Sequence, residues 1–335
     1  PVEVDLARAH RLEGALHALP ELPDEDAIVL AGDEALIRNA LARRDCADHP
    51  QIQIVGTSQV IEMDEPPVEA VRAKQDSSIT VLAKMAARNA DNPLDVIISA
   101  GNTGAKVTAA QMYMRRLRGV LRPGIAVTIP TFSGPVVLID VGANIEPKPA
   151  HLAQYGIMGS VYAARTLGID QPRVGLMNVG GEEQKGTEGL RAARDMLRDS
   201  PLVNFRGYVE GRGVFDGEAD VVITDGITGN VMLKLAEGVS AGIFKAIARE
   251  VVKVDPDFGK RFEPVVKRIY AEYDYHEYGG APLLGVNGVC IISHGSSVGR
   301  TIANAIQRSR QFVNVGVNDA IVEALGAAQL QDEAA

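Results

Sequence analysis

The sequence predicts an α/β protein of three layers, α/β/α, around a mainly parallel sheet. Three observations carry this: seven apolar runs of strand length, helical periodicities between them, and turn residues closing nearly every run. The runs are AIVLAG (27–32), DVIISAGN (95–102), GIAVTIP (124–130), PVVLIDVGAN (135–144), RVGLMNVGG (173–181), DVVITDGITGN (220–230) and GVCIISHGSS (288–297). Continuous runs rich in Val and Ile read as strands buried on both faces. Between them, Asp33 can cap a helix with Leu36, Ile37, Ala40 and Leu41 on one face, and Ser77 or Ser78 can cap one with Val81, Leu82, Met85 and Ala86. Val231, Leu235, Val239, Ile243 and Ile247 recur every four residues, as do Val298, Ile302 and Ile306. Alternating strands and helices imply right-handed crossovers.

We read residues 1–335 as a single domain. The stretch 250–282 breaks the rhythm: Lys260–Arg261 and Lys267–Arg268 alternate with Phe258, Phe262, Val265, Val266 and Ile269, and Pro264 either starts a helix or kinks one. It reads as a protruding helical segment, the alternative being a surface helix over a sheet edge.

Composition narrows the function. Of 335 residues, 46% are hydrophobic and 23% charged, enough for a sizeable core. Lys and Arg number 34 against 43 Asp and Glu, and a net charge of −9 argues against a general nucleic-acid binder. An acidic partner therefore needs a local basic patch. Two cysteines, Cys46 and Cys290, are too few for a disulfide framework or a thiolate zinc site, which suits a reducing cytoplasm. No run approaches the roughly 18 apolar residues of a membrane-spanning helix.

The Gly, Asn, Asp and His clusters all fall at the carboxyl ends of the predicted strands, the edge where open α/β sheets bind ligands. SAGNTGA supplies Ser99, Gly101, Asn102, Thr103 and Gly104 before a helix starting near Lys106, a setting in which backbone N–H groups and a hydroxyl can cradle an anion. DVGAN supplies Asp140 and Asn144; NVGGEEQKG supplies Asn178, Gly180, Glu182 and Lys185; DGITGN supplies Asp225, Gly226, Thr228, Gly229 and Asn230; and SHG supplies His294. Each loop alone is also what an ordinary turn or helix cap looks like. Together, amide, hydroxyl and backbone donors with few aromatics suit a small oxyanion such as phosphate.

Other chemistries lack their motifs. The chain has no G-x-S-x-G elbow, no G-x-x-x-x-G-K-[ST] loop, no H-E-x-x-H and no G-x-G-x-x-G. Neither cysteine stands in the electropositive, accessible setting of a nucleophile. The six histidines show no ligand spacing, so neither metal nor cofactor is expected, although Asp140, Asp225 and Glu182 would suit Mg²⁺ if they converged.

In order and spacing, SAGNTGA, VVLIDVGAN, HLAQYGIMGS, NVGGEEQKG, VVITDGITGNVMLK and GAPLLGVNG…SHGSS resemble the PlsX-type phosphate acyltransferases of bacterial phospholipid synthesis, from about Asp33 to Val313. The resemblance implies transfer of a long-chain acyl group from acyl carrier protein to inorganic phosphate, giving acyl-phosphate for a membrane glycerol-3-phosphate acyltransferase. It also implies a fold like phosphotransacetylases and isocitrate/isopropylmalate dehydrogenases, a homodimer, and a cytoplasmic protein peripheral to the membrane. Family members open with a strand and a loop of the form D-x-M-G-G-D-x-x-P. This chain opens Pro1-Val2-Glu3-Val4, so that strand and loop are expected to be missing.

Phosphate is already a nucleophile, so proximity and oxyanion stabilisation suffice without a covalent intermediate. We expect the SAGNTGA loop to bind phosphate with help from Lys185. Asn178, Asn230 and nearby glycine N–H groups would address the thioester oxygen, and His294 would assist the leaving thiolate or orient phosphate. Arg115, Arg116, Arg118 and Arg122, at the end of the helix after SAGNTGA, would dock the acidic carrier; otherwise they are a solvated helix end. The rival enzyme is a short-chain phosphotransacetylase, and the rival from another class is an inactive acyl-phosphate-binding or scaffold protein.

Overall fold

All seven apolar runs are strands in the computed structural model, which describes residues 12–272, 279–293 and 298–334. The strands are β1 (Ile28–Gly32), β2 (Ile52–Gly56), β3 (Val96–Ser99), β4 (Gly124–Thr131), β5 (Gly134–Ile139), β6 (Arg173–Met177), β7 (Asn204–Val209), β8 (Val221–Ile223), β9 (Ala281–Leu284) and β10 (Val289–Ile292). The runs named in the sequence correspond to β1, β3, β4, β5, β6, β8 and β10. The chain forms two compact units, Pro1–Ile125 with Tyr278–Ala335, and Ala126–Glu277.

In the first unit β1 and β2 pair in parallel, as do β3 and β10, while β9 runs antiparallel to both β10 and the first residues of β4. Three of its helices, Glu34–Ala42, Ser78–Met85 and Thr103–Ala109, start where short polar side chains satisfy orphan N–H groups. Asp33 accepts from Leu36 N at 3.0 Å to open Glu34–Ala42, and Ser77 accepts from Thr80 N at 3.4 Å to open Ser78–Met85. The helix after β3, Thr103–Ala109, begins three residues before the expected start and continues as a π-helical turn, Ala110–Met114.

The second unit orders its strands β4-β5-β8-β6-β7, parallel except for β4 against β5. Those two strands are joined by Phe132 and Ser133 alone, and so short a link permits a hairpin but no crossover. Thr131 Oγ1 donates to the Gly134 carbonyl at 2.6 Å, and Gly134 takes the positive φ of 111° that the turn requires. The Pro149–Leu167 helix lies on the sheet through Gly156 and Gly159, where a Cβ would come within 2.6 Å of Leu197 and of Val221. Leu138, Ile139, Tyr155, Met158, Leu176 and Ile223 are fully buried there, each stabilising the fold by roughly 1.5–3 kcal/mol. At the far end of β6, Asp220 accepts three bonds from Arg173, through its N, Nε and Nη2. Burial pushes the Asp220 carboxyl up, but those bonds outweigh it and hold it below the usual carboxylate range.

The expectation of a mainly parallel sheet holds, with β4 and β9 as its antiparallel members. The break at 250–282 is a second helix, Pro256–Glu272, packed back on a 29-residue helix, Gly226–Val254, and passing through Pro264. Asp255 turns the corner by accepting from Asp257 N and Phe258 N, and Gly259 is so close to Val252 that a Cβ would sit 2.7 Å away. Residues 273–278 of the predicted protrusion lie outside those described. Among the described residues no helix is long and apolar enough to cross a membrane.

Candidate active site

Parallel neighbours end on the same edge, so topology alone gathers the polar loops within each unit. In the first unit Ser99 ends β3 and Ser293 follows β10 beside it; in the second, β5, β8 and β6 stand side by side and lead into 140–144, 224–230 and 178–186.

The loop after β3 is held open from within. Asn102, 6% exposed, accepts from Ala105 N at 3.0 Å and donates through Nδ2 to the carbonyls of Glu62, Met63 and Glu65 at 3.1–3.3 Å. Its side chain thus fastens the loop to a neighbouring turn, leaving ligand contact to Ser99, Gly101, Thr103 and Gly104. Gly101 faces Ile79 and Gly104 faces Pro67 so closely that a Cβ would meet them at 3.1 and 2.5 Å.

Asp140 is wholly buried. Its two oxygens accept from the backbone N–H groups of Gly142, Ala143 and Asn144 and from Asn144 Nδ2, which also donates to the Tyr155 hydroxyl at 2.7 Å. Asp140 and Asn144 therefore shape their loop from below instead of presenting oxygens to a substrate. Asp225 works in the same way: it caps the Gly226–Val254 helix, accepting from Ile227 N, Thr228 N and the Thr228 hydroxyl at 2.6–2.9 Å. The two loops interlock. Gly226 N donates to the Asn144 carbonyl at 2.8 Å, and Asn230 Nδ2 donates to the Val141 carbonyl at 3.2 Å. Gly226 and Gly229 lie against backbone carbonyls, and a Cβ would stand 2.6 Å from the oxygen of Asn144 and 2.1 Å from that of Asp140. Asn230 itself is exposed at the rim.

The loop after β6 is more open. Asn178, 7% exposed, donates through Nδ2 to the Gly180 carbonyl at 3.1 Å, while its Oδ1 is buried with no hydrogen-bond partner among the described residues. Residues 181–185 are exposed, and Lys185 Nζ pairs with Glu182 Oε2 at 2.8 Å across Gly180, where a Cβ would strike both side chains. Lys185 holds the Glu182 carboxyl below its usual range, and Glu182 raises the Lys185 ammonium in turn. The lysine is thus a fully charged cation tethered by one exposed carboxylate that an anion can displace.

His294 lies outside the described residues. Arg115, Arg116, Arg118 and Arg122 are all exposed, but they do not lie on a helix. The π-helical turn ends at Met114, and Arg115, at a φ of 66°, starts a loop pinned by Asn287, which donates to the carbonyls of Arg115 and Arg116. Helix dipole arguments for this cluster therefore lapse. Burial pushes the Cys290 thiol up to about 12, leaving it inert. Among the described residues no cluster of three or more His, Cys, Asp or Glu side chains could hold a metal. Sequence reasoning passed over Lys106, buried beside Ser99, although a lysine amid Ala105, Val107 and Ala109 in an apolar helix was a visible signal.

Residues 4–320 match the family described as "Fatty acid synthesis protein". A phosphate acyltransferase of Moorella thermoacetica is 42% identical over 329 residues, covering 97% of this chain and 94% of that one. One from Brevibacillus brevis is 43% identical over 315 residues, covering 93% and 92%. Among solved structures, the EutD phosphotransacetylase of Staphylococcus aureus superposes with a TM-score of 0.56 at 15% identity over 95% of this chain and 99% of its own. A phosphotransacetylase from Streptococcus pyogenes gives 0.57 at 15% identity over 95% and 91%. At such identity these two speak for the fold alone, which is phosphotransacetylase-like. On its match and its identities to the acyltransferases, the chain belongs to the Fatty acid synthesis protein family.

Proposed function

We propose that the protein is a phosphate acyltransferase that moves a long-chain acyl group from acyl carrier protein to inorganic phosphate for phospholipid synthesis. The observation that carries this is the placement of Lys185, a charged and displaceable cation, over the Gly180 backbone at a sheet edge rich in N–H donors. It stands in a chain about two-fifths identical to phosphate acyltransferases along nearly its whole length. We further read the fold as three-layered and similar to isocitrate/isopropylmalate dehydrogenases.

In the reaction a phosphate oxygen attacks the thioester carbonyl, the new C–O bond forms, and the C–S bond breaks from the tetrahedral intermediate. The proton of hydrogen phosphate ends on the carrier thiolate, so no external acid or redox partner is consumed. In the first unit the 99–104 loop is the phosphate-binding candidate and His294 the candidate to assist the thiolate; in the second, Lys185 is the candidate cation for phosphate, and Asn230 and the second N–H of Asn178 are the candidate donors to the developing oxyanion. The arginines at 115, 116, 118 and 122 supply the positive patch an acidic carrier needs on a chain of net charge −9. Reversing two of these charges is expected to raise KM for the carrier severalfold and flatten its salt dependence; unchanged kinetics would remove the patch from the account.

The Gly226–Val254 helix supports a homodimer or peripheral membrane contact. Ile227, Val231, Leu235, Val239, Ile243 and Ile247 form a stripe between 41% and 64% exposed, a face that water leaves unfavourable. A dimer would measure twice the chain mass in solution, and liposome binding would fall in a Phe258/Phe262 double variant. The second reading is a short-chain phosphotransacetylase-like enzyme, whose fold the structural neighbours share. Donor choice separates the two: acyl-phosphate formed from long-chain acyl carrier protein and not from acetyl-coenzyme A supports the acyltransferase, and the reverse supports the rival.

A further inference from the structure

Lys106 is 3% exposed, and none of the roles above involves it. Its Nζ donates to the carbonyl oxygens of Ser99 and Ser293, each at 3.1 Å. These carbonyls end two parallel neighbours: β10 registers Ile292 beside Ser99, and Ser293 N donates to the same Ser99 oxygen at 2.9 Å. The ammonium thus sits where the partly negative ends of two strands converge, at the root of the 99–104 loop and of the segment leading to His294. Ser293 is also 3% exposed, but its Oγ lies on the other side of the strand, where a Cβ at Gly280 would meet it at 3.1 Å. A small apolar cavity lined by Ile79, Leu82, Ile97, Ala109 and Cys290 adjoins the lysine. Such walls pack against the aliphatic stem of the lysine, and the two carbonyls offset the cost of burying its amino group.

We propose that Lys106 is a positioning residue for the oxyanion substrate. By clamping the Ser99 and Ser293 carbonyls it fixes the loop that meets the anion. Its buried charge adds an attraction that water and salt screen weakly. The inference rests on the reading that the 99–104 loop takes phosphate.

The test compares wild type with Lys106→Met, Lys106→Gln and Ser293→Ala in steady-state acyl transfer and in calorimetric titration with inorganic phosphate, sulfate serving as the control anion. Lys106→Met and Lys106→Gln are expected to raise KM for phosphate roughly tenfold or more and to weaken phosphate binding in parallel. They should leave KM for acyl carrier protein within about twofold and kcat within about threefold. Ser293→Ala, which keeps the carbonyl that Lys106 holds, should leave KM for phosphate within about twofold. A folded Lys106→Met protein with phosphate KM within twofold of wild type would overturn the proposal. So would a parallel fall in every parameter, or failure of both lysine variants to fold, because either marks a purely structural lysine. If wild type bound phosphate but made no acyl-phosphate, the functional reading would fail while the calorimetry still decided the role of Lys106.

Discussion

Where β5 and β8 end, both carboxylate oxygens of Asp140 and of Asp225 already have donors, and glycines at 226 and 229 leave no room for a methyl group. One strand further along, the loop after β6 leaves Asn178 Oδ1 without a partner among the described residues, exposes residues 181–185 and holds Lys185 through an exposed ion pair. Both regions are written in the same letters, Gly, Asn, Asp and Glu after an apolar run. The first uses them to lock backbone against backbone, the second to leave groups within reach of a ligand. An acidic residue whose oxygens are already filled is architecture, and a cation whose partner is solvent-exposed is available for chemistry.

The contrast can be broken in three ways. Lys185→Ala and Asn230→Ala are expected to slow acyl transfer by roughly 10²–10³, the range of a lost oxyanion donor. Lys185→Ala should leave stability within about 0.5 kcal/mol, being an exposed site; near-normal turnover in both variants would dissolve the site as drawn. Next in size, Gly229→Ala is expected to destabilise by about 3 kcal/mol in urea unfolding, because its Cβ would meet the Asp140 carbonyl at 2.1 Å. Gly181→Ala, with nothing within 4 Å, should stay within about 0.5 kcal/mol. Equal effects would erase the distinction between locked and open loops.

The smallest effect concerns the tether. Glu182→Gln should lower KM for phosphate about threefold, because the competing carboxylate is gone while Lys185 keeps its charge near neutrality. The Lys185 ammonium, raised by Glu182 in the native protein, should titrate nearer an ordinary lysine in the variant, read by NMR. The sign follows from the depressed Glu182: its share of the pairing is present above the unfolded carboxylate pKa and is lost as pH falls through the lower folded value. Low pH should therefore free Lys185 in wild type and change nothing in Glu182→Gln.

Seven strands were legible because β-branched runs closed by turn residues leave little else to form, and Asp33 and Ser77 cap their helices as their positions suggest. β2, β7 and β9 were not. Ile52–Gly56 and Asn204–Val209 carry polar residues that interrupt the run, and Ala281–Leu284 has Pro282 and only four residues. The site was legible as a set of loops but not as a division of labour. Which way Asp140 points depends on three backbone N–H groups gathered by the turn, and no side-chain pattern encodes that. The four arginines were read onto a helix because QMYMRRLR continues its composition, whereas Asn287, distant in sequence, holds the loop that ends it.

The most direct test of the account is hydroxylamine trapping of acyl-phosphate formed from long-chain acyl carrier protein and inorganic phosphate, run on wild type and on Lys185→Ala with a no-phosphate control. Phosphate-dependent hydroxamate from wild type, reduced at least about a hundredfold in a folded Lys185→Ala protein, is the predicted result. Phosphate-dependent hydroxamate at equal rates from both would contradict it.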